Sequence, residues 1–137
     1  MLAFYKVGCA ECTKRLTVNM YVVTVLNGDI FVVSDTSTVH VYDSNSYTST
    51  CNIWIPESQI LQAIVSCSHY KCLYATDPRK KTIYHWDISN SASTKWSVEG
   101  DCEGLSVTND YNLLVILSDT NRIQEYTTRG SAKRNKA

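Results

Sequence analysis

The sequence predicts an all-β chain, a partial β-propeller of about three four-stranded antiparallel blades. Three observations carry this. The chain repeats: Asp35, Asp77 and Asp119 each close a short apolar run, and 77 − 35 = 119 − 77 = 42. Trp54 and Trp96 keep the same spacing, as do Glu57 and Glu99. A fixed period of that size marks an array of like supersecondary units. Each unit carries short β-branched and aromatic runs separated by turn residues. No stretch of useful length has the apolar spacing of a helix.

The elements follow in register. The first strand reads Tyr21–Thr24, then Ala63–Ser66, then Leu105–Thr108. A polar turn comes next, with Asn27-Gly28, His69-Tyr70 and Tyr111-Asn112 at matching positions. Asn-Gly is a strong hairpin signal because both residues accept the positive φ of a tight primed turn. The second strand is Ile30–Val33, Cys72–Ala75 or Leu113–Leu117, apolar without alternation and so expected to be covered on both faces. The third ends in an aromatic: Tyr42, Trp86 and Tyr126, expected to pack between neighbouring sheets. The middle copy has two extra residues in its Pro78–Lys81 turn, and shorter linkers afterwards restore the period. A fourth strand is visible in two copies, around Trp54 and Trp96.

The predicted organisation is an N-terminal segment at 1–17 and blades at 18–58, 59–100 and 101–128, with a basic disordered tail at 129–137. The third blade is expected to lack its outer strand. Propellers close with about four to eight blades, so three units are expected to reflect a truncated product, an incomplete gene model, or half of a ring that a partner chain completes. Open blade edges invite self-association.

Glu103–Asp110, Leu113–Val115 and Ser118–Ile123 resemble the NHL repeat, whose units start with a Gly-Leu/Ile-x-Val step and end with an Asp-x-x-Asn-x-Ile-like turn and an aromatic. The third copy matches well, the second moderately and the first loosely, over roughly residues 18–128. The resemblance implies a propeller that binds protein or RNA on one ring face. It also implies kinship with tripartite-motif ubiquitin ligases, whose propellers select targets. No RING or B-box is present in this chain, so the ligase chemistry is not expected of it.

Formal net charge is zero, but the last nine residues hold four basic side chains and no acidic one. The other 128 residues carry nine basic and thirteen acidic side chains, a net of −4. An acidic body disfavours broad electrostatic capture of nucleic acid. The candidate phosphate or partner contacts are Arg79, Lys80 and Lys81 in one turn, and Arg129, Lys133 and Arg134 in the tail. No apolar run approaches the roughly 20 residues of a membrane span, and the start lacks a signal-peptide core. A reducing cytoplasmic setting is the expectation.

Cys9 and Cys12 form a C-x-x-C, half of a structural zinc site, with no second half to close it. They read as ordinary thiols. Cys67 and Cys72 flank the second unit's hairpin turn and read as small buried groups. His40, His69 and His85 fall at three different places in the repeat. The repeated aspartates read as turn-bonding groups, since a catalytic role needs only one copy. No nucleophile, base and orienter assemble. The expected function is a non-catalytic recognition module binding protein partners, without cofactor. The alternatives are an RNA-binding propeller and part of a metal-dependent six-bladed hydrolase or lyase.

Overall fold

The computed structural model describes residues 20–34, 38–54, 60–90 and 92–136. They form three four-stranded antiparallel meanders. The first comprises β1 (Met20–Leu26), β2 (Asp29–Ser34), β3 (Thr38–Asp43) and β4 (Ser49–Trp54). The second comprises β5 (Ala63–Cys67), β6 (Cys72–Asp77), β7 (Thr82–Asp87) and β8 (Ala92–Ser97). The third comprises β9 (Cys102–Val107), β10 (Leu113–Leu117), β11 (Arg122–Tyr126) and β12 (Ala132–Lys136). Helical geometry is limited, among the described residues, to two 3-10 turns at Pro78–Lys80 and Ser118–Thr120. None of these residues belongs to a helix long and apolar enough to cross a membrane.

Turn chemistry sets the ends. Asn27 and Gly28 both take positive φ, 52° and 81°, and join β1 to β2 as a primed hairpin. Asp77 starts the Pro78 turn by accepting the Lys80 N–H at 3.3 Å, and Pro78 supplies a preset φ where no amide donor is needed.

The third sheet has its outer strand, which corrects two expectations at once: a blade without one, and a disordered tail at 129–137. β12 pairs with β11. The chain reverses through Thr127, whose backbone N–H donates to Ser131 O at 2.9 Å, and through Gly130 at φ 84°. A β carbon on Gly130 would lie 2.6 Å from Trp96 Cδ2, so this turn sits directly on the indole. Ala132–Lys136 carries no strand signal in the sequence because an outer strand faces solvent and needs no apolar pattern. β4 and β8 are almost wholly exposed as well.

The innermost strands β1, β5 and β9 run beside one another in that order, and the sheets pack face to face. Thr24 Oγ1 donates to Ser66 Oγ at 3.1 Å across the first of these seams, a bond between residues 42 apart. One core lies between the first and second sheets, around Phe31, Val33, Val39, Val41, Leu73 and Tyr84. A second lies between the second and third, around Tyr74, Ile83, Cys102, Leu113, Val115 and Tyr126. The middle sheet is therefore covered on both faces, and β6 is buried from end to end.

Strand pairing shows that the 42-residue period is an average. Val39, Ile83 and Ile123 hold one position, paired with Val33, Thr76 and Ile116; their spacings are 83 − 39 = 44 and 123 − 83 = 40. Two corrections follow. Trp54 pairs with Thr38, whereas Trp96 pairs with Ile83, so the structural counterpart of Trp96 is Ile53. A one-residue slip turns a strand side chain to the other face. Trp96 enters the second core, and Trp54 stands 68 % exposed. Likewise the left-handed residues that end the two 3-10 turns are Lys81 and Asn121, 121 − 81 = 40 apart, which leaves Asp77 and Asp119 out of register. Asp35, Cys9, Cys12, Glu57 and residues 1–17 lie outside the described residues.

Candidate interaction surface

In a meander, the β1–β2 and β3–β4 turns and their counterparts gather at one end of the sheets. Where the second and third sheets meet, that end carries a cluster of exposed rings. His69 and Tyr70 come from the β5–β6 turn and Tyr111 from the β9–β10 turn. His69 and Tyr111 stack with centroids 3.8 Å apart and planes 8° apart. Tyr70 stands edge-on to both, 4.6 Å from His69 and 6.0 Å from Tyr111. Tyr70 and Tyr111 remain 48 % and 42 % exposed.

The backbone under Tyr111 is strained. Its φ is 64°, a left-handed position that favours Gly or Asn and is an outlier for a bulky residue. Thr108 holds it there: its backbone carbonyl accepts the Tyr111 N–H at 2.9 Å, and its Oγ1 accepts the Asp110 and Asn112 N–H groups at 3.2 and 3.0 Å.

Beside the cluster, a groove of about 440 Å³ follows the same seam, lined by Tyr70, His85, Asp87, Lys95, Trp96 and Arg129 among others. The wall is built by β7, β8 and the β11–β12 turn. Burial holds His85 below the ordinary histidine value, against an opposing pull from Asp87, so the imidazole is neutral near pH 7. Thr94 Oγ1 lies 3.4 Å from His85 Nδ1. The groove thus presents a neutral imidazole, an indole, a phenol and charges of both signs. The first seam has a groove of similar size, lined largely by apolar groups such as Phe31, Val41, Ile53, Trp54, Trp86 and Ile88.

The remaining sequence-predicted positions scatter. Arg79, Lys80 and Lys81 occupy the opposite end from Arg129, so they form no single basic patch with it. Lys81 Nζ lies 3.4 Å from Asp119 and 3.7 Å from Asp101. Asp119 also accepts the Asp101 N–H at 2.7 Å, and these bonds hold its carboxyl below the usual range. Lys133 lies 4.0 Å from the buried carboxylate of Glu125, which Asn112 also bonds at 2.9 Å. The backbone of Arg134 belongs to β12. Tyr126 is buried in the second core and Trp86 packs against the first, while Tyr42, their counterpart by pairing with Ile30, is half-buried on the first sheet's outer face. His40 Nδ1 and Asn52 Oδ1 lie 3.0 Å apart on that same face.

Cys67 and Cys72 face each other across the hairpin as free, buried thiols. Burial pushes the Cys72 thiol up to about 11, so it is inert toward metals and electrophiles at neutral pH. Among the described residues no three His, Cys, Asp or Glu side chains group as a metal site.

From the sequence alone His69 is only a turn residue, and the aromatic cluster emerges where two sheets meet. A usable signal was present. Three ring side chains, His69, Tyr70 and Tyr111, occupy turn positions where the first unit has Asn-Gly, so backbone convenience did not choose them.

No family model and no curated protein matches the chain. Solved structures do. Virginiamycin B lyase from Staphylococcus aureus superposes with a TM-score of 0.74 at 12 % identity, over 86 % of this chain and 41 % of its own. The WD40 repeats of RRP9 give 0.74 at 14 %, over 89 % and 39 %. An exported protein from Bacteroides fragilis gives 0.68 at 15 %, over 99 % and 42 %. The fold is that of a β-propeller. At these identities the likeness concerns fold alone, and it spans both an enzyme and WD40 repeats. The chain spans about two-fifths of the length of these propellers.

Proposed function

We propose that this chain is a non-catalytic recognition module that binds a polypeptide at the turn end of the seam between its second and third sheets. The observation that carries the proposal is the exposed His69–Tyr70–Tyr111 cluster. A tyrosine in a left-handed turn position costs stability that Gly or Asn would not, and strain of this kind gathers at functional positions. Exposed aromatics are the commonest anchors of protein interfaces. The adjoining groove, with Lys95, Arg129 and Asp87, suits an extended segment carrying an apolar anchor and charged flanks. The NHL resemblance, a role related to target selection by tripartite-motif ligases and a reducing cytoplasmic setting belong to the proposal too.

A photo-crosslinking residue at position 70, compared with one at position 79 on the opposite end, tests it in cells. A protein adduct from position 70 that Tyr111→Asn abolishes, while the folded far-UV spectrum persists, supports the proposal. Equal adducts from both positions, or none, overturn it.

The stacked His69–Tyr111 pair also favours a second reading, single-stranded RNA, because bases stack on aromatic faces. Under that reading position 70 yields an RNA adduct. Binding then falls steeply with salt through Lys95 and Arg129.

A further inference from the structure

We infer that two copies of this chain associate head to tail, the outer face of the third sheet in each seating on the outer face of the first sheet in the other. Strand pairing supplies the template, because the same interface already occurs twice within the chain. The row Val22–Val33–Val39–Ile53 faces the following sheet. Its counterpart in the second sheet is Ala63–Thr76–Ile83–Trp96, and in the third it is Gly104–Ile116–Ile123. Val39 and Ile83 are 1 % and 0 % exposed, while Ile123 is 40 % exposed; Val33 and Thr76 are both at 0 %, while Ile116 is at 50 %. Third-sheet side chains are uncovered on the face that no described sheet covers.

The opposite face gives the mirror result. Val23, Ile64 and Leu105 hold one position, paired with Val32, Ala75 and Val115. Ile64 packs against the first core and Leu105 against the second. Val23 is 61 % exposed, and Val25 beside it is 56 % exposed. On the first sheet's outer face Val32 is buried, at 6 % exposure, beside the exposed Val23 and Val25. The exposed parts of the two outer faces are unlike each other and complementary in kind, each matching one half of an interface that the chain builds internally.

A second copy presents both missing halves at once. Contacts of this unlike-face type either close or polymerise. Two copies bring 3 + 3 = 6 sheets, within the roughly four to eight that close a propeller ring. The turn ends of both copies then lie on one side of the ring. The His69–Tyr70–Tyr111 surface takes no part in either contact, so this inference stands apart from the proposed function.

Sedimentation or light scattering of the whole chain across a concentration series tests it. A species of twice the 15.4 kDa chain mass is expected. Val23→Glu and Ile116→Glu should each abolish it; both side chains are exposed, so neither change disturbs a core. Mixing the two variants should then restore association, because the third-sheet face of the Val23→Glu chain and the first-sheet face of the Ile116→Glu chain are both intact. A chain that stays monomeric overturns the inference, as does an open-ended polymer. So does a dimer that one variant abolishes and the other leaves alone, since that marks a like-with-like contact.

Discussion

Two of the three aspartates that share the repeat spacing, Asp77 and Asp119, do different work. Asp77 is fully buried and caps a 3-10 turn, and Asp119 lies exposed between Lys81 and the Asp101 amide. Asp77→Ala removes the cap on the Lys80 N–H and is expected to cost about 0.5–2 kcal/mol in a denaturant titration. Asp119→Ala should move the midpoint less, since its ion pair is solvent-screened. Equal losses would restore the two residues to one structural role. His85 gives a pH test. Burial sets its folded-state value below that of the unfolded chain, so the unfolded chain takes up the proton first as the pH falls. Its contribution is present above about 6.5 and is lost as the pH drops through the folded-state value. Thermal midpoints should fall on acidification below that point, and His85→Gln should flatten this part of the profile. An unchanged profile in the variant would assign the loss to other groups.

At the scale of the strand, burial follows from what lies on either side of a sheet more than from residue type. Ile83 and Ile123 are the same residue in the same repeat position, one buried and the other 40 % exposed. At concentrations where the chain is monomeric, Ile83→Ala should cost about 2–5 kcal/mol and Ile123→Ala far less. Comparable costs would mean that the third sheet's outer face is covered within the single chain. The second strands were legible in the sequence because each is a continuous apolar run: Ile30–Val33, Cys72–Ala75 and Leu113–Leu117 all fall within observed strands, although Ile116 in the last of them is 50 % exposed rather than covered on both faces. The outermost strand of the third sheet was not legible, since Ala132–Lys136 carries no apolar alternation and needs none. Register was only half legible. Averaging over spacings of 44 and 40 gives 42, so landmarks such as Trp54 and Trp96 matched in number while pairing one position apart.

For the whole molecule, the array makes each sheet depend only on its neighbours, as in other repeat proteins. The middle sheet, walled on both sides, is the natural centre of stability. The site was less legible than the fold, because stacking of His69 on Tyr111 depends on two sheets meeting, which no local pattern records.

The thiols provide a clock for that meeting. Cys67, Cys72 and Cys102 all sit in the core between the second and third sheets, whereas Cys51 is exposed on the first. In a chain with Cys9 and Cys12 replaced by Ser, a thiol reagent should consume one equivalent at once and the next three together, at the rate with which the second seam parts. Three separate rates would show instead that the strands fray one by one.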